Sequence, residues 1–266
     1  MIVGDEALAK RLEQFEASFG AACTAVMPGG ASLTTAGGIA IFGGPRSPLT
    51  QAISLAIGEP IHESALEGIE EFYRIRGAPC IIHVTPWTDS SLTNALAARG
   101  YAIVEYQNVF VRPLTDDDRV VAANESIRIE RIDPADSALW ARIAGEGFAS
   151  EEMPAADMTA MMEPVARAAG AHCYVAYLDG EPAGSATIAI SEEARVAGLY
   201  GASTLPRFRN RGVQGALLAR RLGDARAAGC DLALVTTIPG SPSHRNVARR
   251  GFELVYAKIA MKRVFG

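Results

Sequence analysis

Two segments of this chain carry the same order of features, and this repetition limits the possible folds more than any single motif does. One segment contains Gly77 and Gly100, which are 23 positions apart, and the other contains Gly229 and Gly251, which are 22 apart. Each pattern predicts a helix end, a buried strand, a loop, a short helix, a glycine cap, an aromatic residue and a long strand. We interpret the chain as two related halves, although unrelated α/β units can share this order.

A chain of 266 residues is long enough for two such halves. An acidic stretch that contains prolines lies between them, and it predicts a first domain at 1–114, a linker at 115–128 and a second domain at 129–266. The pattern predicts an α+β (α/β) fold, in which each half is a mixed, mostly antiparallel twisted sheet flanked by helices. It also predicts one helix over Met158–Ala169, a short strand over Gly37–Phe42, and loop or edge character for the wider stretch Gly29–Gly44.

A basic turn that contains glycine lies between a predicted strand and a predicted helix in the second half. No Asp or Glu occurs from Ala194 to Gly223, yet this stretch holds six arginines. Backbone N–H groups at a helix start, surrounded by cations, favour a bound phosphate group. The net charge of -5 argues against a nucleic-acid partner, so we expect a small anionic ligand. Chance clustering of the arginines is the alternative.

The residues of this turn are similar to the signature of the GCN5-related N-acetyltransferase (GNAT) superfamily. That signature is Arg/Gln-x-x-Gly-x-Gly/Ala, and the stretch Arg209-Asn210-Arg211-Gly212-Val213-Gln214 matches it except for Gln214 in the place of the small residue. Gly215 follows one position late. Residues 243–252 resemble the second cofactor element of the family and its Gly-Phe strand start. The resemblance covers residues 129–264 and implies two GNAT-like halves.

The resemblance implies that acetyl-CoA is the acyl donor. Backbone N–H groups of residues 211–216 would hold its pyrophosphate, and the polar groups of Thr204 and Leu205 would align the pantetheine and polarise the thioester. The implied cofactor-binding residues are Thr204, Leu205, Arg209, Arg211, Gly212, Val213, Gln214, Gly215, Ala216 and Asn246. In the first half the corresponding segment, Gly58–Ser64, contains a proline and two glutamates. We therefore expect a degenerate first half and one cofactor per chain.

The acid and base of the reaction are not fixed by the sequence. In many relatives a tyrosine four residues before the Gly-Phe glycine protonates the leaving thiolate, but here Val247 occupies that position. Tyr256 is our candidate acid and Glu146 our candidate base. Other side chains remain open, namely Tyr200, Ser241, Ser243, Glu151 and Glu152. Water can accept the proton of an amine whose pKa is near neutral, so no strong base is required.

The leading hypothesis is an N-acetyltransferase that moves an acetyl group from acetyl-CoA to a primary amine of a small molecule or peptide, by direct attack in a ternary complex. The alternative is a non-catalytic CoA-sensing or regulatory module. A nucleotide site of the P-loop or dinucleotide type is disfavoured, because Gly-Lys-Ser/Thr is missing and no acidic residue follows at the usual distance.

Cysteine spacing and hydropathy indicate the compartment. The cysteines Cys23, Cys80, Cys173 and Cys230 form no C-x-x-C motif, so we expect buried thiols in a reducing compartment and no metal. The charged start predicts no signal peptide, and no apolar run approaches the ~20 residues of a membrane span. We expect a cytoplasmic monomer or homodimer without a membrane or nucleic-acid partner.

Overall fold

The computed structural model describes residues 2–118, 126–150 and 153–265. These residues form a mixed α/β fold with mostly antiparallel strands flanked by helices, which confirms the predicted fold class. The helices are α1 (Glu6–Ala25), α2 (Glu63–Arg74), α3 (Ser90–Ala98), α4 (Ser137–Phe148), α5 (Ala155–Met162), α6 (Val213–Ala227) and α7 (Pro242–Ala248). The strands are β1 (Ala31–Thr35), β2 (Gly38–Phe42), β3 (Gln51–Ile53), β4 (Cys80–Val84), β5 (Ala102–Pro113), β6 (Ile127–Arg131), β7 (Ala171–Leu178), β8 (Glu181–Ser191), β9 (Val196–Thr204), β10 (Leu232–Thr237) and β11 (Glu253–Arg263).

The chain divides into two compact units. Unit 1 comprises residues 1–112 and 234–266, and unit 2 comprises residues 113–233. The strand order in unit 1 is β1-β2-β3-β4-β11-β5-β10, with β10 belonging to it from Leu234 onward, and in unit 2 it is β6-β7-β8-β9. Strands β3 and β4 pair in parallel, whereas β11 is antiparallel to both β4 and β5, and all the pairs in unit 2 are antiparallel.

The last strand of the chain lies inside the sheet of unit 1. Ile259 of β11 pairs with Val84 on one side and with Tyr106 on the other. The repeated halves of the sequence and the compact units are thus two different divisions of the chain, and the boundaries 1–114, 115–128 and 129–266 stay a prediction. Within the predicted linker, residues 119–125 lie outside the described residues, and β6 begins at Ile127.

The repeated segments have the same local structure, as predicted. Each is a strand, a short helix and a long strand: β4-α3-β5 in one and β10-α7-β11 in the other. Gly100 and Gly251 both have φ of 77°, a conformation that suits glycine after a helix end. The next N–H donates back to the helix in each case, from Tyr101 to the Leu96 carbonyl and from Phe252 to the Val247 carbonyl.

Two stretches differ from the sequence prediction. Strand β2 lies where a strand was predicted, but it pairs with the unpredicted β1 in a hairpin. The turn residues Ala36 and Gly37 have φ of 49° and 75°, the combination of a two-residue type I′ turn. The helix predicted over Met158–Ala169 ends at Met162 and continues as a 3₁₀ turn, because Pro164 has no N–H for the helical ladder.

Helices pack on both faces of the unit 1 sheet. On one face, Leu66 and Ile69 of α2 and Leu96 of α3 pack in a buried cluster that includes Ile82 of β4. On the other face, Ala17 of α1 packs in a second cluster with strands β2 and β3. Alternate residues of β2 enter the two clusters, as the period of a strand requires.

A buried ion network joins α1 to β11. Lys258 Nζ lies 2.9 Å from Glu13 Oε1 and also contacts Glu16, while the Tyr256 hydroxyl donates to Glu13 over 2.8 Å. Burial raises the pKa of Glu13 above its ordinary value. Burial alone would lower the pKa of Lys258, but Glu13 and Glu16 raise it, so the lysine stays charged. The network therefore contains two carboxylates around one ammonium.

We predict that Lys258→Met destabilises the protein by about 3–5 kcal/mol, since it leaves buried carboxylates without their counter-ion. The deficit should shrink as the pH is lowered, because a proton then neutralises Glu13, whose pKa in the folded state is raised. Denaturant unfolding at a series of pH values measures both effects. The control Lys262→Met, in the same strand, should change stability by less than about 0.5 kcal/mol. Equal, pH-independent losses in the two variants would contradict the prediction.

Candidate functional site

The basic turn connects β9 to α6 in unit 2. A single 3₁₀ turn, Pro206–Phe208, follows the strand, and the buried Phe208 side chain anchors it. Asn210 and Gly212 both have positive φ, 62° and 89°, and α6 begins at the next residue, Val213. Two left-handed residues this close together turn the backbone sharply just before the helix start.

The N-terminus of α6 has no side-chain cap at Gly212 among the described residues. The Ala216 N–H donates to the Gly212 carbonyl over 3.1 Å, which closes the first turn of the helix. The earlier N–H groups of a helix have no partner within the helix, and the helix dipole adds partial positive charge there. The turn predicted to hold a phosphate thus has the backbone geometry for it.

The arginines of the turn have acidic partners that are distant in sequence. Arg211 Nη2 lies 2.8 Å from Asp179 Oδ2, and Arg207 Nη2 lies 3.7 Å from Glu181 Oε2. Both acidic residues come from the hairpin that joins β7 to β8, and all four side chains are exposed. The stretch without acidic residues in the sequence is therefore not free of carboxylates in space. Arg209, also exposed, donates from its Nε to the Thr204 carbonyl at 3.4 Å.

The end of β9 offers fewer donors than the sequence suggested. The Leu205 N–H donates to the Ala183 carbonyl over 2.9 Å, which removes it from the donors expected for a thioester carbonyl. The buried Thr204 Oγ1 has no hydrogen-bond partner in the described part of the chain. The roles predicted for the other polar groups of Thr204 and Leu205 stay predictions.

A bulge interrupts the pairing of β8 with β9. Ser185 faces Ser203 and Thr187 faces Tyr200, so two residues of β9, Gly201 and Ala202, lie opposite the single residue Ala186. Gly201 has φ of 54°, as a bulge with glycine in the left-handed conformation requires. An isolated glycine within a strand pattern is the sequence signal that could have found it.

Gln214, the residue that departs from the family signature, contacts this bulge. Its side-chain Nε2 donates to the Ala202 carbonyl over 3.2 Å. The first turn of α6 is thus tied to the bulged part of β9. No feature of the sequence alone gives this contact.

The predicted catalytic residues lie in different surroundings. Glu146, in α4 of unit 2, forms an ion pair with Arg142 at 3.0 Å. Tyr256, in β11 of unit 1, is buried; its hydroxyl donates to Glu13, and burial, together with Glu13, raises its pKa. Asn246 is an exposed residue of α7 in unit 1. Their functional roles stay predictions, and Glu151 and Glu152 lie outside the described residues.

The fold and the turn together define a class: mixed α/β proteins in which a glycine-containing basic turn joins a strand to a helix N-terminus. Residues 139–252 match the model of the acetyltransferase (GNAT) family. This part of the chain is a GNAT-family domain, and the family match supports acyl transfer as its general chemistry. No curated protein matches the chain significantly.

Several solved structures share the fold over nearly the whole chain. A GCN5-related N-acetyltransferase from Kribbella flavida is 17% identical with a TM-score of 0.69, covering 97% of this chain and 96% of its own. A tandem GNAT protein from the clavulanic acid biosynthesis pathway is 14% identical with a TM-score of 0.64, covering 94% of each chain. A functionally unknown conserved protein from Staphylococcus epidermidis ATCC 12228 is 12% identical with a TM-score of 0.62, covering 88% of this chain and 94% of its own. At these identities the likeness shows the fold alone.

Among residues 2–118, 126–150 and 153–265, none of the helices combines the length and the apolar character that a membrane crossing needs.

We predict that Gly212→Ala destabilises the protein by about 1 kcal/mol, because alanine is strained at φ of 89°. The added Cβ would lie 3.5 Å from Ile127 Cδ1, an ordinary contact, so the cost is that of the backbone. The control is Gly68→Ala. Gly68 lies within α2, and a Cβ there would meet no described atom within 4 Å. Alanine should therefore stabilise the protein at this position by about 0.5–1 kcal/mol. Thermal unfolding of both variants measures the difference, and a gain at both positions would contradict the strain.

Proposed function

We propose that the turn Arg209–Ala216 binds the pyrophosphate of acetyl-CoA, and that the protein transfers the acetyl group to a primary amine of a small molecule or peptide. The observation that carries this proposal is the start of α6, where the left-handed Gly212 precedes a helix N-terminus without a side-chain cap. Backbone N–H groups at such a terminus bind phosphate through hydrogen bonds and the helix dipole. The family match of residues 139–252 supports an acyl-CoA as the ligand.

The arginines contribute less than their number suggests. Arg211 is held by Asp179, so a phosphate group has to compete with that carboxylate for the guanidinium. Arg209, by contrast, makes one long bond to a carbonyl and can turn toward an anion at little cost. The Ala216 N–H already donates to the Gly212 carbonyl, which removes it from the donors expected for the pyrophosphate. In this proposal, the backbone N–H groups of residues 211–215 hold the phosphates, and the exposed Arg209 and Arg211 add charge that solvent screens.

The bulge in β9 is the candidate for polarising the thioester. A bulge leaves its extra residue outside the strand ladder, so a backbone N–H near Gly201 and Ala202 can donate to a ligand. A donor fixed by the fold stabilises the negative charge that develops on a carbonyl oxygen during acyl transfer. Bound acetyl-CoA supplies the activated acyl group, and the bulge and the turn hold its two ends within unit 2.

Direct attack forms the bond between the amine nitrogen and the acetyl carbon, while the carbon–sulfur bond breaks and the thiolate takes up a proton. Glu146 can accept the amine proton only when its ion pair with Arg142 opens. Tyr256, the proposed proton donor, already donates its proton to Glu13. An amine with a pKa near neutral can instead lose its proton to water.

A non-catalytic CoA-sensing or regulatory module is the second candidate. It is favoured by Val247 in the position where many relatives have a tyrosine, and by the engagement of the Tyr256 hydroxyl with Glu13. In that case acetyl-CoA binds, but no free thiol is released with any amine in a panel. Thiol release with at least one amine supports the transferase.

We predict that calorimetric titration of the full chain detects acetyl-CoA, and that Arg211→Glu raises its Kd at least about tenfold through repulsion of the phosphates. The control Arg195→Glu reverses a charge at the opposite end of β9, where Arg195 pairs with Asp231, and should leave the Kd nearly unchanged. Absence of heat from the unmodified protein at ~100 μM, where micromolar binding is detectable, would refute the proposed ligand.

We also predict that Asp179→Asn tightens acetyl-CoA binding, since it releases Arg211 from its ion pair. Exposed pairs are weak, so the Kd should fall by at most about fivefold. The gain should diminish at high salt, where exposed charges are screened. Asp231→Asn is the matched control, because it removes the ion pair of Arg195 instead of that of Arg211. Weaker binding in Asp179→Asn would show that Arg211 does not act on the phosphates.

A further inference from the structure

Arg221 of α6 is a buried cation whose described partners are backbone carbonyls. Only 3% of the residue is exposed. Its Nε donates to the Leu217 carbonyl at 3.2 Å, and its Nη1 donates to the carbonyls of Thr187 at 3.1 Å and of Tyr200 at 3.4 Å. Burial lowers its pKa to about 10, so the guanidinium remains charged near neutral pH.

A buried charge of this kind is costly. Removing a guanidinium from water without a carboxylate to balance it is unfavourable, and an apolar side chain of similar size usually serves stability as well or better. Packing alone therefore does not account for an arginine at this position. The carbonyls that it binds indicate what the charge does.

Those carbonyls border the bulge of β9. Thr187 and Tyr200 face each other across β8 and β9, and the next residue of β9 is the left-handed Gly201. Arg221 thus ties both strands together at the last regular pair before the extra residue.

Two other helix side chains bind carbonyls of the bulge itself. Trp140 Nε1 of α4 donates to the Ala186 carbonyl over 3.2 Å, and Gln214 Nε2 of α6 donates to the Ala202 carbonyl over 3.2 Å. Side-chain donors therefore engage carbonyls of the bulge and its flanks. Carbonyls satisfied in this way do not compete with a ligand for the backbone N–H groups of the same region.

The Tyr200–Gly201 peptide connects Arg221 to such an N–H. The described peptide bonds are all trans, so the Gly201 N–H points away from the Tyr200 carbonyl oxygen and from the guanidinium bound to it. A cation at the oxygen end polarises the amide and makes its N–H a stronger donor.

We propose that Arg221 is a positioning residue for acyl transfer: it fixes and polarises the Tyr200–Gly201 peptide, so that the Gly201 N–H donates to the thioester carbonyl oxygen of acetyl-CoA. This rests on the proposed function. Arg221 itself touches no substrate; it acts through one backbone amide. Gln214 of α6 and Trp140 of α4 also hold the bulge in place, through hydrogen bonds to the carbonyls of Ala202 and Ala186.

The test is the infrared carbonyl stretch of acetyl-CoA carrying carbon-13 at the carbonyl carbon, bound to the full chain. A hydrogen bond to the thioester oxygen lowers this frequency. In Arg221→Gln we expect most of the lowering to be lost, while the Kd measured by calorimetry changes by less than about threefold. A merely structural role would change the affinity and the thermal stability without changing the carbonyl frequency selectively.

Arg220→Gln is the matched control. Arg220 is adjacent in α6 but binds Asp224 at 2.9 Å, so its variant should keep the full frequency shift. If Arg221→Gln does not fold, the same infrared measurement is made on Arg221→Lys. Lysine keeps the charge but loses the paired donors of the guanidinium, so we expect a lowering of the carbonyl frequency between those of the unmodified protein and of free acetyl-CoA. An unchanged shift in the folded Arg221 variants would overturn the role of Arg221 and leave the proposed function standing. A failure of the unmodified protein to bind acetyl-CoA would refute the proposed function itself.

Discussion

The extra residue in strand β9 is the constraint on which the arrangement of unit 2 depends. A bulge leaves backbone groups without ladder partners, and buried polar groups have to be satisfied. Here Trp140, Gln214 and Arg221 supply donors to the carbonyls of the bulge and its flanks, and each comes from a helix that packs near it. Helices α4 and α6 are thereby fixed against one irregular point of the sheet. The start of α6, where the anion site is proposed, is positioned by the same contacts.

The balance of charge at the turn is a second consequence of tertiary structure. The β7–β8 hairpin brings Asp179 and Glu181 to two of the arginines, so the local positive field is weaker than the sequence implies. In the proposed function, binding of an anion therefore depends more on directional backbone donors than on net charge. This is consistent with a glycine at the helix N-cap, where a larger side chain would be strained.

Local signals predicted much of the fold. Gly100 and Gly251 end their helices as expected, because the left-handed conformation that they adopt is a property of a few neighbouring residues. Strand β2 was predicted from its apolar run, but β1 and the hairpin pairing were missed because the small and polar residues of β1 carry little apolar alternation. The helix predicted over Met158–Ala169 was too long, because its apolar pattern was given more weight than Pro164, which ends α5.

Features that depend on residues distant in sequence could not be predicted in the same way. The pairing of Arg211 with Asp179 and the contact of Gln214 with Ala202 arise only once the chain has folded. Arg221 is a partial exception. It lies four residues after Leu217 and four before Ala225, both buried, so the helical period already places it on the inner side of α6.

The position of β11 has a consequence for the order in which the protein can be made. Strands β4 and β5 are synthesised early, but the strand that pairs with both of them ends at Arg263. On the ribosome, the sheet of unit 1 therefore cannot be completed until β11 has been added, whereas unit 2 is a continuous segment that emerges whole. Folding of unit 1 during synthesis would finish after that of unit 2. Until then, the edges of β4 and β5 that pair with β11 have to be protected from pairing with other chains.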